Sequence, residues 1–281
     1  MNLLIFRSLW TNGFDLDAAL ADCRTGAFDG VEGPAGDAEF ARKLRDAGVP
    51  FIAEITTGGG YVPDRGASLQ DHLNSFTCKL EASVGCEPLL VTVLGGSDAW
   101  PLQKSVEFFG RALEIAQAFD VALSFETHRS RPTFNPWVTR DLLDQLPDLQ
   151  LTCDFSHWCC VTERLVMDDD PELLTKIAKR TWHIHGRVGY DQGPQVPHPG
   201  APEYRKPLEA HERWWDAIWT VQEESGAAVS TLTPEFGPDG YLHTLPFGGQ
   251  AVADLDEINH WMALRQRERF ARRIVPCSIS L

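Results

Sequence analysis

The sequence predicts a single-domain (β/α)8 TIM barrel, on three observations. Its 281 residues match the roughly 250 that such a barrel needs. Eight short apolar runs bounded by turn residues alternate with longer amphipathic stretches, the pattern of parallel βα units. The last four runs all end in an acidic residue or a histidine, and strand ends are where such a barrel carries its chemistry.

In chain order the expected strands are Asn2–Arg7, Phe28–Glu32, Phe51–Thr56, Leu89–Leu94, Val121–Glu126, Gln150–Asp154, Thr181–His185 and Val229–Glu235. Expected helices lie near Asp15–Arg24, Asp37–Ala47, Ser68–Val84, Leu102–Phe119, Thr139–Gln145, Glu172–Lys179, Leu208–Ser225 and Asp254–Arg269. Asp15, Asp37 and Ser68 can accept bonds from the free amides of helix starts, and Gly26, Gly48 and Gly85 stand where left-handed helix ends favour glycine. Eight parallel units close more naturally than they form an open sheet, because closure leaves no edge unpaired. The alternative, a doubly wound sheet, usually carries a glycine-rich phosphate turn after its first strand, and Ser8-Leu9-Trp10-Thr11-Asn12-Gly13 is not one. The whole chain, 1–281, reads as one domain with a C-terminal tail from about residue 273.

Composition narrows the function classes. With 25 Lys and Arg against 40 Asp and Glu, the net charge of −15 repels nucleic acid and anionic membranes. The apolar opening Met1–Phe6 meets Arg7 at once and lacks a basic start, so it reads as a buried strand rather than a secretion signal. No apolar run reaches the roughly 18 residues of a membrane helix. The seven cysteines form no CxxC pair, so they read as buried small hydrophobes in a reducing cytoplasm. Whether copies of the chain form a homo-oligomer is left open.

Strands five to eight end in Glu126, Asp154, His185 and Glu235. Three carboxylates at one barrel mouth repel one another and are costly to desolvate unless a cation or protons compensate them. Three oxygen donors and one imidazole make a mostly hard site for one divalent ion, with Mn2+ expected and Mg2+, Co2+ or Zn2+ as alternatives. Glu32 ends strand two and Glu54 nearly ends strand three, where they either bond substrate hydroxyls or form core ion pairs with Arg7. His183 shares a face with His185 one layer deeper and reads as a core histidine. His128, Arg129 and Arg131 follow Glu126 and suit an anionic group or a solvated surface. Trp10, Trp100 and Trp158 follow strands one, four and six, and either stack on sugar C–H faces or pack between loops. The loop 187–205, with four prolines, either covers the site or is a rigid surface feature.

Five segments together resemble the xylose-isomerase-like superfamily of sugar isomerases and epimerases, which includes ketose 3-epimerases and inosose dehydratases and, more distantly, endonuclease IV. They are Phe28-Asp29-Gly30-Val31-Glu32, Phe125-Glu126-Thr127-His128, Asp154-Phe155-Ser156-His157, Trp182-His183-Ile184-His185 and Pro234-Glu235-Phe236-Gly237. The resemblance spans nearly the whole barrel. It implies that Glu126, Asp154, His185 and Glu235 hold the metal, that Glu126 and Glu235 also exchange protons with substrate, and that His157 touches a substrate oxygen. The family's epimerases usually place an arginine six residues beyond the metal histidine, where this chain has Asp191. Arg187 is the expected substitute.

The expected substrate is a small polyhydroxylated carbonyl compound. Glu126 and Glu235 are the expected catalytic residues, with His157, Arg187, Glu32, His128 and Trp158 as expected substrate contacts. Epimerisation or isomerisation of a keto-sugar through an enediolate is the leading reading. A dehydratase or lyase of a keto-cyclitol or oxidised sugar is the alternative, since the same enolate can expel a β-hydroxyl. A multi-zinc phosphodiesterase would need histidines at the ends of strands three and four, which here read Ile-Thr-Thr-Gly and Val-Leu-Gly-Gly.

Overall fold

The computed structural model describes residues 1–238 and 240–274; most of the expected tail lies outside the described residues. Eight parallel strands form a closed barrel in sequential order: β1 (Asn2–Ser8), β2 (Gly30–Gly33), β3 (Phe51–Thr56), β4 (Leu90–Leu94), β5 (Leu123–Glu126), β6 (Leu151–Cys153), β7 (Thr181–His185) and β8 (Val229–Thr233). Closure comes from β1 pairing with β8, Asn2 to Ile5 opposite Val229 to Leu232. An open doubly wound sheet is excluded.

Outside the barrel run α1 (Leu16–Thr25), α2 (Ala38–Ala47), α3 (Leu69–Val84), α4 (Leu102–Gln117), α5 (Pro136–Gln145), α6 (Phe155–Thr162), α7 (Pro171–Ala178), α8 (Arg205–Glu224) and α9 (Leu255–Ile274). Asp15, Asp37 and Ser68 cap α1, α2 and α3 through their side chains, and Ser68 forms a full capping box with Asp71. Gly26 and Gly48 adopt the left-handed conformation expected of them. Gly85 does not: its φ of −62° is ordinary right-handed backbone, and the left-handed turn falls two residues later, at Glu87.

The helix absent from the sequence reading is α6. Its residues Phe155-Ser156-His157-Trp158-Cys159 are all buried, so they carry no amphipathic stripe by which to recognise a helix. Asp154 starts it, accepting a bond from Ser156 N at 2.9 Å.

Strand alternation stacks three layers inside the barrel. At the bottom, Phe6, Ile52 and Leu90 form an apolar plug with Leu4 against it. Gly30 makes room for this plug, since a Cβ there would lie 2.4 Å from the Phe6 ring. The middle layer is polar but satisfied: Thr152 Oγ1 meets Thr92 Oγ1 at 2.7 Å and Ser124 Oγ at 2.6 Å, and His183 Nδ1 meets Thr231 Oγ1 at 2.8 Å. Two residues further along, β5, β6 and β7 bring Glu126, Asp154 and His185 to the mouth, where Glu235 joins them from just past β8 and Glu32 and Glu54 approach from β2 and β3. Arg7 points outward, to Asp22 at 3.0 Å and to Asp256, so it pairs with neither Glu32 nor Glu54. Among the described residues no helix is long and apolar enough to cross a membrane.

Candidate active site

The mouth layer brings the four strand-end residues together. Donor atoms of Glu126, Asp154, His185 and Glu235 all lie within 4.8 Å of one another, and all four residues are buried. His185 Nδ1 stands 3.1 Å from Glu235 Oε2 and 3.6 Å from Glu126 Oε1. Both His185 Nδ1 and Glu235 Oε2 lack a hydrogen-bond partner. Buried polar atoms are seldom left so, and three carboxylates with one imidazole lone pair are the donors a divalent ion takes. The residues fit such an ion.

Glu32 sets the direction of that lone pair. Its Oε1 accepts from His185 Nε2 at 3.0 Å, and its Oε2 lies 3.1 Å from His183 Nε2. With the proton on Nε2, Nδ1 is free to face the carboxylates, the arrangement by which a carboxylate behind a histidine orients it for metal. The structure therefore corrects the expectation that Glu32 contacts substrate, because both its oxygens are engaged below the cavity floor. Burial raises the Glu32 carboxyl, but the two histidines outweigh it and hold the group well below the usual carboxylate range.

Charge around the four residues is uneven. Burial pushes Glu126 up to about 7 and also raises Asp154. Glu235 feels the same burial, yet His185 and Arg187 hold it below its ordinary value. Burial alone would depress His185, but the charges of Glu235, Glu32 and Glu126 hold it well above the imidazole range. That negative field attracts a divalent cation as it does a proton.

Arg187 enters from the loop after β7. It forms ion pairs with Asp154 and, at 3.4 Å, with Glu235, and donates to His157 Nε2 at 2.8 Å. His157 sits on α6 with its ring 4.1 Å from that of His128. Glu126, His128 and His157 form a second converging set of donors. Arg187 bears on both sets, through His157 in one and through Asp154 and Glu235 in the other; the four strand-end residues are the better metal site because they offer three carboxylates where the second set offers one.

These groups open into a cavity of about 230 Å³ lined by Trp10, Tyr61, Val62, Leu94, Glu126, His128, Arg129, Arg187, Glu235 and Tyr241. Trp10 reaches it because residue 237 is glycine; a Cβ there would lie 1.9 Å from the Trp10 ring. Gln195, in the proline-rich loop, clasps Gly237 through both backbone groups at 2.9 and 3.2 Å, so that loop braces the wall. Trp158 is elsewhere. It is fully buried, its Nε1 donates to Thr133 O at 2.8 Å and its ring packs on Phe155, which corrects its assignment as a substrate contact. Trp100 likewise packs on His72 and Phe108. Arg131 donates to the carbonyls of Thr57 and Gly96 at 3.0 and 2.8 Å, and to those of Gly60 and Tyr61. It ties the loop after β3 in place instead of facing substrate. Tyr61 and Tyr241 were not anticipated; both lie in loops, where no strand or helix period marks an inward residue.

No protein-family model matches the chain, and no curated protein matches it by sequence. Solved structures do match. An L-ribulose 3-epimerase aligns over all of both chains, with 13% identity and a TM-score of 0.62. The probable 3-DHS dehydratase AsbF of Bacillus anthracis aligns over 95% of this chain and 98% of its own, with 13% identity and a TM-score of 0.59. The IolI protein, described with a bound zinc atom, aligns over 99% and 100%, with 12% identity and a TM-score of 0.63. The chain thus shares the (β/α)8-barrel fold of these proteins.

Proposed function

We propose that this protein is a metal-dependent isomerase or epimerase of a keto-sugar or related polyhydroxylated carbonyl compound. The observation that carries the reading is the convergence of Glu126 and Glu235 with Asp154 and His185 on one buried point that opens into a small cavity walled by aromatic and charged side chains. The proteins that share the fold, ketose 3-epimerases among them, favour the same substrate class. A net charge of −15 also suits a small molecule better than nucleic acid, in the cytoplasm that the cysteines suggest.

Glu126, Asp154, His185 and Glu235 would hold the ion, with Mn2+ preferred for this mostly oxygen donor set. A divalent ion bound there supplies electrophilic stabilisation for negative charge developing on the substrate carbonyl oxygen. The chain's own groups move the proton. Glu126 and Glu235 reach the same point from separate parts of the mouth, at the ends of strands five and eight, so each carboxylate can address a different side of one substrate carbon. Glu235 removes the proton beside the carbonyl and Glu126 returns one to the other face. His157 and Arg187 orient the neighbouring oxygens, while Trp10 and Tyr241 help exclude water.

The second reading is a dehydratase, favoured by the likeness to a probable 3-DHS dehydratase. Incubation of Mn2+-loaded protein with a panel of keto-sugars in heavy water tests both. Deuterium on the carbon next to the carbonyl, with mass otherwise unchanged, supports the epimerase. A product lighter by one water supports the dehydratase, and product with neither change excludes both.

A further inference from the structure

Tyr241 gathers two cations. The Arg187 guanidinium carbon lies 4.6 Å from its ring centroid and that of Arg129 lies 5.1 Å away. Both arginines line the same cavity as Glu126 and Glu235. Like charges drawn to one ring repel, and cation–π attraction of about 0.5–2 kcal/mol each does not remove the need for counter-charge. Arg187 has its counter-charge in Asp154 and Glu235. Arg129 is exposed and, among the described residues, pairs with no carboxylate. The two acidic residues of the cavity lining, Glu126 and Glu235, form no ion pair with it.

On the proposed reading of the site, we infer that Arg129 receives a carboxylate on the substrate, so that the protein acts on an acid derivative of a keto-sugar rather than on a neutral ketose. A guanidinium presents two parallel N–H groups that match one carboxylate in bidentate fashion. Stacking on Tyr241 fixes the plane of that fork and lowers the ordering needed when substrate arrives. A phosphate would ordinarily be met by more donors, such as a glycine-rich loop or a helix N-terminus, and the lining of this cavity includes neither. With the acid group at Arg129, on the loop after β5, the carbonyl end of the substrate lies toward Glu126 and Glu235.

Calorimetric titration of Mn2+-loaded protein with 2-keto-D-gluconate, D-fructose and D-fructose 6-phosphate tests the inference without requiring turnover. The keto-acid is expected to bind at least tenfold more tightly than fructose, and Arg129→Gln, an exposed position, is expected to bring that ratio close to one while the melting temperature holds. Equal affinities, absent binding of the keto-acid, or a ratio that survives Arg129→Gln would overturn it. A preference for the phosphate ester that is lost in Arg129→Gln would overturn the carboxylate assignment in favour of a phosphate. Failure here leaves the proton-transfer reading standing, because that reading is tested separately, by deuterium exchange and loss of water.

Discussion

Glu32 and His185 are joined by a 3.0 Å bond from the imidazole Nε2 to the carboxylate Oε1, and this bond aims the other ring nitrogen at Glu126 and Glu235. Changing Glu32 should therefore weaken metal binding although it removes no ligand. Groups behind a metal histidine typically contribute roughly 10–100-fold in affinity. Glu32→Gln, which can still accept one bond, is expected near the lower figure and Glu32→Ala near the upper. Mn2+ affinities unchanged in both variants would show that His185 is oriented by something else.

Metal content follows from the four converging donors. About one divalent ion per chain is expected by elemental analysis, and chelation should lower the melting temperature because an ion bound only to the native state stabilises it by mass action, about 2.7 kcal/mol at one hundred times Kd. Asp154→Asn or His185→Ala should weaken Mn2+ binding more than any change behind the ligands. His157→Ala should chiefly impair substrate handling. If His157→Ala abolishes metal binding while His185→Ala spares it, the two histidines have been given each other's roles.

Glu126→Gln and Glu235→Gln keep their shape and lose proton transfer. Each should stay folded and lose roughly 10²–10⁴-fold in turnover, with most of the substrate affinity retained. Steady-state rates within threefold of the parent enzyme in both variants would remove carboxylate proton transfer from the mechanism.

Glu54 gives a pH dependence of stability in the metal-free protein. Burial, aided by Glu235, Glu126 and Glu32, raises its carboxyl from an ordinary 4.5 to about 8. A group whose pKa is raised on folding keeps its proton in the native state while the unfolded chain releases it. Its contribution is therefore full below about pH 4.5 and is lost progressively as pH rises toward 8. Urea unfolding of the parent and of Glu54→Gln should show the variant gaining relative stability from pH 5 to pH 8. A constant gap between them would mean that Glu54 ionises in the folded protein as freely as in water.

How far the sequence revealed this arrangement depended on the kind of signal. Strands β3 and β7 match their expected bounds to the residue because Pro50 and Gly58 or Arg180 and Gly186 break the apolar runs on either side. The convergence of Glu126, Asp154, His185 and Glu235 was legible because a parallel barrel places every strand end at one mouth. Helix α6 was not, since a helix buried on all sides carries no periodic stripe. The role of Glu32 was misjudged because strand position places a residue near the mouth but does not say whether it faces the cavity or the histidines beside it, and that of Trp158 because it lies on the unrecognised α6, whose packing turns its ring away from the cavity. Arg131 belongs to the same group, its guanidinium turned inward to carbonyls 35 to 74 residues away in sequence.

On the proposed reading of the site, the pairing of β1 with β8 dictates when the protein can acquire an ion during synthesis. Glu126, Asp154 and His185 leave the ribosome well before Glu235, and β1 waits with one edge bare until residues 229–232 arrive to pair with it. Over that interval a nascent chain presents unpaired strand edges, the surface most prone to join another chain, and three of its four ligands have no common centre. Metal loading is thus a late event that follows ring closure.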